Sequence, residues 1–184
     1  VREYAITVEE RAPDLVGSLN ALNEPWQWGD TVGFEMSVEN RGDAASGGFY
    51  ADLYMVDPSD DDLYFIEDWY ISDLAANGGL WGQSWQYTLP SSPPNGFPSD
   101  GSVEFWLFSD IDESTGDSDY SNNDDYDSVS MSMPAPDLRG SYFTATPGST
   151  IAGGQVNVSF RVENTGGSTA AASRAEFYLS TDST

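Results

Sequence analysis

The sequence of 184 residues has no cysteine, no histidine and no lysine. Without cysteine, no disulfide can staple the fold and thiol chemistry is excluded. Without histidine, cysteine and lysine, the common general bases, thiolate nucleophiles and Schiff-base amines are missing, so no catalytic site is expected. Carboxylate pairs could in principle cleave glycosides, but nothing singles out two of them in a cleft. Six arginines face 31 acidic residues, for a formal charge of −25. That charge repels duplex DNA and anionic membranes and makes cations the natural counter-species. No run approaches the roughly 18 apolar residues of a membrane span. There is also no initiator methionine, signal peptide or sorting motif, so the termini of the parent protein are expected to lie outside this window.

What is present suits a packed core. Hydrophobic residues make up 39% of the chain and aromatics 14%, including six Trp, ten Tyr and nine Phe. An acidic disordered tail would lack them. The chain also repeats itself. Pro13-Asp14-Leu15-Val16-Gly17-Ser18 returns as Pro136-Asp137-Leu138-Arg139-Gly140-Ser141, an offset of 123 residues. Gly29 to Asn40 matches Gly153 to Asn164 at an offset of 124, and Ala51-Asp52-Leu53-Tyr54 matches Ala175-Glu176-Phe177-Tyr178. Three blocks in the same order define a tandem repeat.

Within the repeat, Val32, Phe34, Met36 and Val38 alternate as a half-buried strand should. Phe49–Met55 follows, with Tyr50, Asp52 and Tyr54 facing away from Phe49, Ala51, Leu53 and Met55. Further strands are expected at Leu63–Ile71, Gly82–Leu89, Val103–Phe108 and Asp127–Met133, separated by Gly, Pro, Asn and Asp clusters. No segment carries a helical period. About seven short strands in roughly 120 residues predict an all-β fold of tandem immunoglobulin-like antiparallel β-sandwich repeats. Residues 1–12 read as the last strand of a preceding repeat, 13–133 as one complete repeat, and 134–184 as the first half of the next. Pro134-Ala135-Pro136 between them reads as a short, stiff linker.

The order of these motifs carries a family resemblance. Pro-Asp-Leu, a strand, VENRGDAASGGFYADLYM, LAANGG, a strand and DSDYSNN follow one another, and YLSTDST ends the chain. The sequence resembles the bacterial cell-adhesion-related domain, CARDB. Its Asn-x-Gly turn is matched at Asn40–Tyr54 and again at Asn164–Tyr178, and its closing Ser-Asn-Asn at Ser121–Asn123. The resemblance implies an immunoglobulin-like module found in tandem on secreted proteins, hence an extracellular or cell-surface location. The aromatic-rich Leu63–Tyr70 stretch and the long Ser91–Gly101 loop depart from the family pattern.

Two acidic loops are candidate metal sites. In Ser109–Asp127, the residues Asp110, Asp112, Asp117, Asp119, Asn122 and Asn123 offer oxygens of the kind calcium takes. Asp57, Asp60, Asp61 and Asp62 form a second group, and the two loops are expected at one end of the sandwich or at a junction between repeats. A solvated acidic loop or adaptation to a saline habitat would also account for the charge. Trp81 and Trp85, evenly spaced on one strand, are candidates for a sugar-stacking platform; core packing is their other possible role. The sequon at Asn157 falls within an expected strand, which argues against its use.

These features predict a non-catalytic structural or adhesive repeat of a stalk, adhesin or extracellular filament, stabilised by calcium, with neighbouring copies, in one chain or as polymer subunits, as partners and glycans as a further candidate. The alternative is an accessory carbohydrate- or substrate-binding module of a secreted hydrolase.

Overall fold

A computed structural model describes residues 10–180, so the strand expected at the amino terminus lies almost entirely outside the described residues. The described structure contains no α-helix; it is built of strands with one short 3-10 turn. It falls into two compact units, Val1–Met133 and Pro134–Thr184.

The first unit is a two-layer immunoglobulin-like sandwich. One sheet has the order β1-β3-β6, from Leu15–Leu22, Thr31–Asn40 and Gly79–Thr88. The other has the order β2-β8-β7-β4-β5, from Trp26–Gln27, Asp125–Ser132, Gly101–Ser109, Phe49–Val56 and Leu63–Ile71. All pairings are antiparallel except the two-residue β2, which runs parallel to β8. Alternation builds the core: Val32, Phe34, Met36 and Val38 of β3 face Phe49, Ala51, Leu53 and Met55 of β4 and Val103, Phe105 and Leu107 of β7, all buried. Trp26, Phe34 and Phe105 meet at its centre with ring centroids 5.2–5.4 Å apart.

The repeated motifs meet in space. Asn40, fully buried at the end of β3, accepts from the amides of Asp14 and Gly42, and its Nδ2 donates to the carbonyls of Ala44 and Leu74. The Arg41 amide closes the joint on the Asp14 carbonyl at 2.7 Å. A side chain at Gly42 would collide with the Ala12 carbonyl and the Asp14 amide, which is why glycine follows the asparagine by two.

The second unit is a two-stranded antiparallel sheet of β9 (Leu138–Thr146) and β10 (Asn157–Asn164). Its Asn164 accepts from Asp137 and Gly166 and donates to Ser168, and the Thr165 amide bonds to the Asp137 carbonyl. Gly166 meets the Ala135 carbonyl as Gly42 meets that of Ala12. The same joint is made twice.

Candidate functional site: an acidic loop and two aromatic rows

The acidic segment connects β7 to β8 and contains a 3-10 turn at Tyr120–Asn122. Its carboxylates hold the loop's own backbone. Asp110, at a positive φ of 56°, receives four hydrogen bonds, from the amide and hydroxyl of Ser114 and of Thr115. Burial pushes its pKa up, but those four donors outweigh burial and hold the carboxyl below the ordinary aspartate range. Asp117 accepts from the Leu15 amide at 2.6 Å and from the Asp119 amide at 2.7 Å. Asp119 caps the 3-10 turn through the hydroxyl and amide of Ser121, which lower its pKa. Asn122 donates to the Asp14 carboxylate and Asn123 to the Ser109 carbonyl. Asp112 is exposed. Three buried oxygens are left without a partner: Ser109 Oγ, Asn122 Oδ1 and Asn123 Oδ1.

The second acidic group forms the tight turn between β4 and β5. The buried Asp57 accepts from the Ser59 amide and Asp60 from the Asp62 amide, each an aspartate folding its own turn. The two loops do not share an end of the sandwich, as the sequence suggested. Asp57 follows the last residue of β4, whereas the Asp110 amide bonds to the carbonyl of Tyr50 at the start of β4. Because β7 runs antiparallel to β4, the eight-residue strand separates them by about 23 Å at the usual strand rise. Among the described residues, no three acidic side chains are grouped so as to hold a metal ion.

Sequence reasoning missed what the acidic residues do for strand β1. It is an edge strand, and its outward amides would otherwise be free to pair with another chain. Carboxylates of β8 and of the loop before it occupy them: Leu15 donates to Asp117, Leu19 to Asp125 at 2.9 Å and Ala21 to Asp127 at 3.0 Å. Gly17 lies against the Asn123 carbonyl, where a Cβ would collide. The partners are 102 and 106 residues apart, so the local signal for them is weak. A faint one exists in the Asp-x-Asp spacing of Asp125 and Asp127 on β8.

The aromatics form two rows. Trp81, Trp85 and Tyr87 do share one face of β6, and that face turns toward the interior. Trp69 of β5 reaches them across the gap between the sheets, with ring centroids 5.9 Å from Trp81 and 5.3 Å from Trp85. The other row lies on the outer face of the five-stranded sheet. Tyr126, Trp106 and Phe108 stack with centroids 4.4 and 5.5 Å apart, and Tyr54 and Phe65 continue the row edge-to-face. Trp106 Nε1 donates to Glu104 at 2.8 Å. A cavity of about 780 Å³ opens beside Asn23, Asp30, Gly33, Trp85 and Gln86.

The architecture is shared with known structures. The chain is similar to the CARDB domain of a Pyrococcus furiosus protein solved in complex with di-metal ions. The identity is 16%, the match covers 68% of this chain and 99% of that domain, and the TM-score is 0.51. The solution structure of that domain matches equally, at 16% identity over 67% of this chain and 99% of that one, with a TM-score of 0.51. No protein-family model and no curated protein matches the sequence. The likeness establishes the fold, a CARDB-type immunoglobulin-like sandwich.

Proposed function

We propose that the chain is a non-catalytic module of an extracellular tandem array, a stalk, adhesin or filament whose repeats serve as one another's partners. The observation that carries this is the joint made twice, at Asn40 and at Asn164, in two units of related sequence. In the second unit, Val158, Phe160 and Val162 stand where Phe34, Met36 and Val38 stand in the first. The former are 41–48% exposed and the latter at most 4%. They are core positions of a second sandwich, and burying them stabilises an array by about 25 cal/mol per Å² of apolar surface removed from water. The surplus of acidic over basic residues suits a solvated surface module that neither nucleic acid nor an anionic bilayer would hold. Immunogold electron microscopy with an antibody raised against this chain tests the proposal. Label at a regular axial spacing on extended surface fibres is the expected result; label confined to the cytoplasm or to a soluble enzyme overturns it.

Calcium belongs to the same proposal at one of the two loops only. The Ser109–Asp124 loop keeps three buried oxygens without partners, whereas the Asp57–Asp62 turn keeps none. The carboxylates of Asp110 and Asp117 are already engaged, so calcium there would draw on hydroxyl and amide oxygens of Ser109, Asn122 and Asn123. Thermal unfolding in millimolar calcium, then in magnesium at equal ionic strength, decides this. A site filled at one hundred times its dissociation constant adds about 2.7 kcal/mol. Equal effects of the two ions mean screening and remove the metal. The accessory carbohydrate-binding alternative rests on the aromatic-rich Leu63–Tyr70 stretch, the Ser91–Gly101 loop and a platform of Trp81 and Trp85, and the rings of that platform are engaged with Trp69.

A further inference from the structure

Asp52 sits near the middle of β4 on the outer face of the five-stranded sheet, between Tyr50 and Tyr54. Its cross-strand neighbours are Asp68 of β5 and Phe108 of β7. It is only 9% exposed, and among the described residues no hydrogen bond or ion pair satisfies its carboxylate. Its surroundings add negative charge rather than relieve it. Burial raises its pKa most, and the charges of Asp68 and Asp112 raise it further. Within the first unit, the described arginines are engaged elsewhere: Arg11 pairs with Asp43 and Arg41 with Glu39.

A carboxylate largely withdrawn from water beside two like charges is costly, and a docked cation relieves that cost. The choice of cation follows from the walls. No three acidic groups here are placed to hold a metal ion. The frame is aromatic instead: the Tyr54 ring meets Phe108 at 5.7 Å and Phe65 at 5.4 Å, and Tyr50 meets Tyr70 at 5.2 Å. A guanidinium is planar, weakly hydrated and able to pack on rings while bonding carboxylates through its fork of donors; an ammonium is compact and strongly hydrated.

We propose that this face docks a basic segment of a partner protein by an arginine side chain, bonded by Asp52 and Asp68 and framed by Tyr50, Tyr54 and Phe108. The stack of Tyr126 and Trp106 extends the same face and accepts the apolar stems of neighbouring residues. The inference does not depend on the array.

The test is titration of blocked tetra-arginine into the isotope-labelled full chain, followed by amide and indole NMR shifts. Salt at about 0.3 M screens long-range attraction to the acidic surface. Saturable shifts are expected at Tyr50–Tyr54, Phe108 and the Trp106 indole. Asp52→Asn should weaken binding by about tenfold or more, one charge-assisted contact being lost. Glu35→Gln, which removes the same charge from the opposite sheet, should change it by less than about twofold. Tetra-lysine of equal charge should bind more weakly. Should Asp52→Asn fail to fold, the exposed Asp68→Asn gives the same comparison. Shifts scattered over the acidic loops, equal losses for Asp52→Asn and Glu35→Gln, or equal binding of tetra-lysine overturns the proposal.

Discussion

The strand pair β1–β3 of the first unit and the pair β9–β10 of the second start from the same motifs and end in different surroundings. Both close through an asparagine whose side chain ties the start of one strand to the end of the other. In the first pair, a second sheet lies underneath and the apolar residues vanish into the core. In the second, Phe160 and Phe177 touch one another at 4.8 Å yet stay about half exposed. Gly17 is pressed on the Asn123 carbonyl, while its counterpart Gly140 has nothing within contact distance. The joint is thus a local device that a short sequence specifies. Burial, edge protection and the close glycine contact are properties of the whole sandwich.

The largest way to separate the two pairs is to remove a core ring. Phe34→Ala should destabilise the first unit by about 3–5 kcal/mol in denaturant titration. Its positional equivalent, Val158→Ala, should cost less than about 0.5 kcal/mol because its methyls already meet water. Equal losses would show that β10 is covered in solution. Asn40→Ala comes next, at about 2–3 kcal/mol, since it takes the side-chain partner from the part-buried Asp14 and Gly42 amides and from the Ala44 carbonyl; Asn164→Ala, in an exposed joint, should cost about 1 kcal/mol or less.

Asp117→Ala tests the capping of β1. It strands the buried Leu15 amide and should cost about 1–2 kcal/mol, with faster hydrogen exchange at Leu15 and no change at β6. The smallest expected effect is a gain. Because the folded-state pKa of Asp52 is raised, the native state keeps its proton where the unfolded chain has lost it. Stability therefore falls as pH rises through this window and stays lower above it. Asp52→Asn should stabilise the chain at neutral pH, and the gain should disappear below the ordinary aspartate pKa of about 3.9. A gain that persists under acid would assign the effect to something other than ionisation.

Much of the first unit was legible from its residues. The alternation of β3 and β4 gave their buried faces correctly, because a period of two fixes side-chain direction without reference to partners. Strand ends were less legible. β6 begins at Gly79 rather than Gly82, since Gly79 pairs with Asn40 in a register that only the sheet defines. The two-residue parallel β2 has no sequence pattern at all. Tyr50, Asp52 and Tyr54 read as outward-facing. That they join Phe65, Phe108, Trp106 and Tyr126 in one row follows from the register of four strands. The acidic residues look like free charge in sequence, yet Asp110, Asp117, Asp125 and Asp127 each serve a named donor. Their partners lie across the fold, and the number of acidic residues carries no information on where they bond.

Hydrogen exchange of the intact chain, read peptide by peptide, tests most directly the contrast between the closed sandwich and the exposed two-stranded sheet. Amides of Thr31–Asn40 should be protected close to the global unfolding limit, while those of Asn157–Asn164 exchange orders of magnitude faster by local opening. Equal, strong protection of both strands would contradict the account, because β10 would then belong to a closed core.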